Sequence, residues 1–218
     1  MNPPSARAER VARTTRATSP RDRLLATARD LFTRRGFDGV SVRELTARAR
    51  VNLGAVTYYF GSKEGLYHAA LESMALPFAD RVAEAARSSG TALDRVEAVV
   101  RVVLSHLAEH AEVPKWLLRE LALERPLPRP MLELMRRNAG ALAAVIADGQ
   151  REGTVRAGDP RLLALSVMAQ PFYFKIAGRG FEQALGITPG DPAVWTRLVE
   201  HVVESVRRTI ANTPQVST

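Results

Sequence analysis

Three Ser-Pro or Asp-Pro pairs in this 218-residue chain place a helix-capping side chain directly before a proline: Ser19-Pro20, Asp159-Pro160 and Asp191-Pro192. Ser and Asp cap helices well because their side-chain oxygens accept hydrogen bonds from the first free backbone N–H groups. Proline suits the first helical position because its φ is already helical and it has no N–H to satisfy. Apolar residues follow the first and last pairs at spacings of three and four, and no segment alternates as a half-buried strand does. The chain is therefore predicted to be all-α.

The first third of the chain is predicted to contain three short helices. The first runs from Pro20 to a stop at Gly36, and Ser41 opens the second with a capping-box pattern. The third begins at Asn52 or Leu53 and ends near Phe60. Three helices within about 45 residues, two of them joined by a tight turn, predict a helix-turn-helix unit. Further helices are predicted over 64–88, 91–111, 114–123, 128–152, 160–177 and 192–211.

The charge of the chain is concentrated at its start. Residues 1–63 contain 13 Lys and Arg against 5 Asp and Glu, a net charge of +8, whereas residues 64–218 contain 18 of each sign. Such an uneven distribution predicts that the first part binds a polyanion. Residues 1–18 lack periodicity and are predicted to be a disordered basic arm, which either solubilises the chain or reaches the DNA minor groove.

Composition excludes several other classes of protein. There is no cysteine, so disulfides and thiolate metal sites are absent, as in many proteins of a reducing cytosol. No apolar run reaches the roughly 18 residues that a membrane span needs. The segment 1–23 has no apolar stretch of the kind found in a secretory signal. We therefore expect a cytoplasmic protein without a membrane partner.

The stretch VNLGAVTYYFGSKEGL, residues 51–66, has the residue types of a DNA-reading helix. Gly54 costs about 1 kcal/mol relative to alanine at a helix start, which favours a role in close approach to a duplex. The hydroxyl-bearing side chains that follow it suit phosphate contacts. Lys63 stands at the start of the next predicted helix. Its ammonium group and the positive end of that helix would attract the same DNA phosphate.

The longer stretch GFDGVSVRELTARARVNLGAVTYYFGSKEGL resembles the N-terminal domain of the TetR family of bacterial transcriptional regulators, and the resemblance extends over about residues 20–68. The version VNLGAVTYYFGSKEGLY resembles in particular the branch of CerR-like regulators. The resemblance implies an N-terminal helix-turn-helix DNA-binding domain, here 19–66, and a C-terminal helical ligand-binding and dimerisation domain, here 67–218. It implies contacts with the DNA backbone by Ser41, Arg43, Thr57, Tyr59 and Lys63. It implies positions on or near base edges for Asn52, Leu53, Gly54, Ala55 and Tyr58.

Two positions depart from the family pattern. Arg50 occupies the turn before the recognition helix, where the family usually has glycine, so either a left-handed backbone is kept at a cost of about 1 kcal/mol or the turn differs. Thr57 stands where the family has the first tyrosine of the recognition helix, so the phosphate contact expected at this position depends on a shorter hydroxyl side chain.

The last predicted helix carries an apolar stripe, which either packs inside its own subunit or pairs two subunits. The resemblance favours a four-helix dimer interface built from the 160–177 and 192–211 helices of both chains. The predicted interface residues are Trp195, Val199, Val202 and Val206. The resemblance also implies an effector pocket in the middle helices, although methionine and aromatic residues at helical spacing are more often plain core. The candidate lining is Met74, Phe78, His106, Trp116, Met131, Met135 and Phe172.

The predicted function is a ligand-responsive transcriptional repressor that binds a palindromic operator in double-stranded DNA as a homodimer and is released by an unidentified small-molecule effector. One alternative is a nonspecific nucleoid-type DNA-binding protein. Another is a zinc hydrolase, because HLAEH, residues 106–110, fits the H-x-x-E-H pattern, but no third ligand is evident. We expect no catalytic residues, no resident metal and no cofactor.

Overall fold

A computed structural model describes residues 19–110, 112–123 and 126–212. Within these ranges the chain is helical and has no strand, only an isolated bridge between Val155 and Ala211. Helices in the described ranges are α1 Pro20–Arg35, α2 Val42–Ala49, α3 Ala55–Phe60, α4 Lys63–Ala86, α5 Ala92–Glu109, α6 Glu112–Ala122, α7 Arg129–Arg151, α8 Pro160–Leu185 and α9 Pro192–Ile210. The predicted basic arm, 1–18, lies outside the described residues. The chain divides into two compact units between Leu71 and Glu72.

The three predicted Ser-Pro and Asp-Pro helix starts are confirmed. The Ser19 hydroxyl oxygen accepts a hydrogen bond from the Asp22 N–H at 3.1 Å. The Asp159 carboxylate accepts from the Arg161 N–H at 2.9 Å, and the Asp191 carboxylate accepts from the Ala193 N–H at 2.8 Å. Each cap satisfies a backbone donor that has no partner within its helix.

The first unit encloses a small apolar core between α1, α2, α3 and the beginning of α4. Its most buried side chains are Leu24, Leu31, Phe32, Leu45, Val56 and Leu66. Tyr67 packs edge-on against Phe32 with ring centroids 5.0 Å apart, and Phe37 lies 5.2 Å from Tyr67. These rings tie the end of α1 and the residues after it to α4, and each buried side chain contributes about 1.5–3 kcal/mol.

The second unit is a bundle in which α5 is the central helix, flanked by α7, α8 and α9. Valines on one side of α5, including Val99 and Val103, are completely buried. Gly149 on α7 permits a close approach, since a methyl group there would lie 2.7 Å from the Ala92 Cβ. Because Gly149 has no side chain, the start of α5 packs directly against the backbone of α7.

Two predicted helix boundaries were wrong. α8 extends to Leu185 instead of ending at 177, because Gly178 and Gly180 are accommodated in the helix and the left-handed Gly186 terminates it. α3 begins at Ala55 instead of Asn52 or Leu53. The Asn52 carbonyl accepts the Ala55 N–H at 3.1 Å, which closes a turn before the helix.

The apolar stripe of α9 packs mainly inside its own subunit. Val202 and Val206 have no accessible surface and belong to the core of the second unit. This corrects their assignment to a dimer interface, since a completely enclosed side chain cannot contact a partner. Trp195 and Val199 are half-buried and pack against the same core.

Candidate nucleic-acid interface

The interface is built from α2, the turn after it, α3 and the first residue of α4. Ser41 caps α2, and its hydroxyl oxygen accepts a hydrogen bond from the Glu44 N–H at 3.1 Å. A serine hydroxyl that accepts one bond keeps its own O–H as a donor, so capping is compatible with a phosphate contact. The Glu44 carboxylate accepts from Arg35 at 2.5 Å, which joins α2 to the end of α1. Arg43 is exposed on the first turn of α2.

The turn between α2 and α3 keeps a left-handed residue although that residue is not glycine. Arg50 has φ 54° and ψ 52° and is the one non-glycine residue with positive φ among the described residues. Its N–H donates to the Ala47 carbonyl at 3.2 Å, and the Val51 N–H donates to the Thr46 carbonyl at 3.0 Å. This pair of bonds is the Schellman arrangement that ends many helices. Of the two expectations for this position, the left-handed backbone is therefore the one that the structure has.

The segment from Asn52 to Tyr59 presents polar and apolar side chains to the outside. Tyr58 is 81% exposed and Leu53 is 55% exposed, and Asn52 and Thr57 are also exposed. These exposed side chains, on α3 and in the turn before it, contribute nothing to the core, so they are available to a ligand. Tyr59 is half-buried, and its ring meets that of Tyr58 edge-on at 4.8 Å.

Ala55 differs from the other predicted base-facing residues because it is 95% buried beside Val56. α3 must place one face against α1 and α2, and its first two residues occupy that face. The Ala55 methyl group therefore offers little surface to DNA and instead forms part of the floor beneath the exposed residues.

A shallow groove of about 590 Å³ runs beside α3. It is lined by Pro20, Arg23, Val51, Asn52, Gly54, Ala55, Tyr58 and Tyr59. Pro20 and Arg23 were not predicted as part of the site, because they lie on α1 and no local pattern connects them with residues some 30 positions later. The groove therefore combines a cationic wall from α1 with the amide and hydroxyl groups of the recognition segment.

Lys63, the predicted phosphate contact, is the first residue of α4. Ser62 caps this helix by accepting a hydrogen bond from the Gly65 N–H at 3.0 Å. The Lys63 ammonium lies 4.2 Å from the centre of the Phe37 ring, and this cation–π contact restricts the position of the ammonium group. Arg21 is held in a similar way, 5.2 Å above the Phe60 ring. Two cations beside the recognition helix are thus placed by aromatic rings.

The second unit contains the residues predicted for an effector pocket. Phe78, His106, Trp116 and Met131 are buried, Met74 and Phe172 are half-buried, and Met135 is 44% exposed. The His106 ring stacks on Phe78 with centroids 4.0 Å apart and planes 11° from parallel. Asn138 on α7, which sequence reasoning missed, is 95% buried, and its side-chain carbonyl oxygen has no hydrogen-bond partner.

The HLAEH stretch lies at the end of α5, and the His106 and His110 rings are 4.6 Å apart. In the part of the chain that the structure describes, no group of three His, Cys, Asp or Glu residues is arranged to hold a metal ion. Among the same residues, no helix has the length and apolar character that crossing a bilayer requires.

Residues 24–70 match the family model described as "Bacterial regulatory proteins, tetR family". The chain is 30% identical over 135 residues to the HTH-type transcriptional repressor NemR of Escherichia coli K12, covering 61% of this chain and 68% of NemR. It is 24% identical over 192 residues to the HTH-type transcriptional regulator RutR of the same organism, covering 84% of this chain and 89% of RutR. A match to YttP of Bacillus subtilis 168 is 25% identical and spans 62% of this chain and 66% of YttP, just under two thirds.

The fold is similar to that of solved structures as well. The crystal structure of the reduced form of E. coli NemR superposes with a TM-score of 0.66 at 23% identity, covering 89% of this chain and all of NemR. At that identity the likeness bears on the fold alone. It extends over the helices of both units, whereas the match to the family model covers the turn and α3 and begins just after Pro20 and Arg23 of the groove.

Proposed function

This chain belongs to the TetR family of bacterial transcriptional regulators, and on that basis we propose that it is a ligand-responsive repressor that binds operator DNA as a homodimer. The observation that carries the DNA-binding role is the exposed recognition segment, where Asn52 and Tyr58 line a groove walled by Arg23 and Leu53 is exposed. A cytoplasmic location is part of this proposal, since operator DNA is there. Membership of the CerR-like branch stays a prediction.

Sequence readout by this segment would use one amide and several apolar contacts. Asn52 can bond in bidentate fashion to the edge of an adenine, and Leu53 can contact a thymine methyl group. The segment has no Arg or Gln on α3, so much of the specificity would come from DNA shape. Ser41, Arg43, Thr57, Tyr59 and Lys63 would fix the register through phosphates.

The dimer surface that we propose is the outer face of α8. Its exposed apolar residues recur at spacings of three and four along four turns: Leu162, Leu165, Ala169, Tyr173 and Ile176. A continuous apolar stripe of this length is uncommon on the surface of a monomer and marks an interface. Two recognition helices carried by such a dimer would meet half-sites about 34–36 Å apart, which is one turn of DNA.

The effector would bind in the second unit, and polar groups buried there support this. Asn138 and His106 are the buried polar side chains among the described residues of that unit. An unsatisfied buried carbonyl costs about 1–3 kcal/mol, a cost that a hydrogen-bond donor on a ligand would remove. An effector that binds one of two conformations better lowers operator affinity by its differential affinity for the two. A repressing sign is proposed because NemR is called a repressor.

A binding measurement on the full chain tests the DNA-binding role. Fluorescence anisotropy would compare fragments from the region upstream of the gene with random DNA of equal length at several salt concentrations. Specific binding predicts a preference of at least about a thousandfold for one fragment. Tyr58→Ala should lower that preference, while Arg208→Ala, an exposed change at the end of α9, should not.

Equal affinity for every fragment would refute the regulator and favour the nucleoid-type alternative. That alternative predicts a salt dependence set by lysine and arginine alone, and no effect of Tyr58→Ala.

A further inference from the structure

One arginine of α1 is bonded to the end of α2. The Arg23 Nε donates to the Ala49 carbonyl at 3.1 Å, and its Nη2 lies 3.4 Å from the Arg50 carbonyl. Arg23 is half-buried, and 26 residues separate it from Ala49. This contact therefore joins the first helix of the unit to the turn that precedes the recognition segment.

The two carbonyls that Arg23 contacts lie where a helix leaves its acceptors unsatisfied. The last carbonyls of an α-helix have no N–H partner within the helix and carry the negative end of its dipole. A guanidinium is suited to this position because its N–H groups are fixed in one plane and always charged. Hydrogen bonds from a charged donor are roughly twice as strong as neutral ones.

The same turn contains the strained residue of the unit. Arg50 holds a left-handed backbone that costs an L-amino acid about 1–2 kcal/mol, a cost that this residue would avoid by becoming extended. Such a change would move Asn52, only two residues later, away from its present place at the groove. Contacts from outside the turn are therefore needed to hold it in the observed form.

We propose that Arg23 is a positioning residue for DNA recognition: it holds the left-handed Arg50 turn, and through it the recognition segment, in the arrangement that meets the operator. This proposal rests on the proposed function, because it assigns a role within the same DNA-binding site. The Arg23 side chain also lines the groove beside Tyr59, so a direct bond to a phosphate is the competing role that the experiment must separate.

A double-mutant cycle between Arg23 and Arg50 distinguishes these roles. Arg50→Gly removes the backbone strain, because glycine adopts positive φ readily. A turn without strain needs less external support, so Arg23→Ala should weaken operator binding about tenfold in the native background and only about two- to threefold in the Arg50→Gly background. Arg23→Lys keeps the charge but not the planar pair of donors, and it should restore only part of the affinity.

Hydrogen exchange provides a readout that does not depend on DNA. The Arg50 and Val51 N–H groups close the Schellman arrangement, so their exchange should accelerate in Arg23→Ala and return towards the native rate in the double variant. Amides of α9 in the second unit should be unaffected and serve as the internal control.

Each other outcome overturns the proposal. An equal loss of affinity in both backgrounds, with a salt slope smaller by about one, would assign Arg23 to a direct phosphate contact. Unchanged exchange of the Arg50 and Val51 amides in Arg23→Ala would show that the turn needs no such support. If the protein lacks an operator altogether, the exchange data still decide whether Arg23 holds the turn, so failure of the proposed function is seen separately.

Discussion

Replacing Arg50 by glycine should stabilise the chain although it removes a side chain and a charge. The left-handed backbone at φ 54° costs an L-residue about 1–2 kcal/mol, and glycine avoids that cost. Glycine also gains about 0.5–1 kcal/mol of conformational freedom in the unfolded chain, which offsets part of the benefit. The Arg50 side chain is exposed, so little burial is lost. The net expectation is a gain of about 0.5–1 kcal/mol in the free energy of unfolding.

Chemical denaturation of the full chain measures this gain, with Arg50→Ala as the matched control. Alanine removes the same charge but keeps the backbone strain, so Arg50→Ala should be no more stable than the native chain. In thermal denaturation, a gain of this size raises Tm by about 1–4 °C for a chain of this length. Equal stability of the two variants would refute the argument, since the backbone conformation would then have no part in the difference.

Three further predictions concern the second unit. Asn138→Leu should stabilise the protein by about 1–2 kcal/mol in urea denaturation, because it removes an unsatisfied buried carbonyl, and it should also weaken the response of operator binding to an effector. Leu165→Glu should convert the dimer into a folded monomer, and light scattering would measure the change in mass. Val206→Glu should instead unfold the chain, because the Val206 side chain has no accessible surface. Thr91 caps α5, since its hydroxyl oxygen accepts a hydrogen bond from the Asp94 N–H at 3.2 Å, so Thr91→Ala should cost about 1 kcal/mol of unfolding free energy in urea denaturation. Because hydrogen bonds from Thr91 lower the pKa of Asp94, this variant should also lose less stability than the native chain as the pH falls below 3.8, the usual pKa of that carboxyl.

The helix starts could be predicted from the sequence because their chemistry is local. Ser19, Asp159 and Asp191 each bond to a backbone N–H two or three residues away, so a short window of sequence contains everything the cap needs. The same locality made the end of α8 hard to place. Two glycines within that helix each cost about 1 kcal/mol, and only the packing of the bundle decides whether the helix continues.

The apolar stripe of α9 shows the limit of periodicity. The pattern of valines establishes which face of the helix is apolar, but it is silent about what covers that face. Packing within the subunit encloses Val202 and Val206, while the exposed stripe on α8 carries Leu162 and Leu165. Both stripes have the spacing of three and four residues, so only the packing of the folded chain distinguishes the inner face from the outer one.

The recognition segment depends on its surroundings more than its sequence suggests. α3 has six residues, far fewer than the roughly 12–15 that an isolated helix needs for even marginal stability, so α3 cannot hold its own position. Tyr58 and Leu53 add nothing to the core, and Ala55 and Val56 anchor only one face. Its orientation must therefore come from its two ends. Arg23 holds the turn at one end, and the capped start of α4 holds the other, where the Ser62 hydroxyl oxygen accepts a hydrogen bond from the Gly65 N–H. The residues that contact DNA and the residues that position the recognition segment are thus different sets. Only the first set has a recognisable sequence pattern, because the second acts through contacts that are distant along the chain.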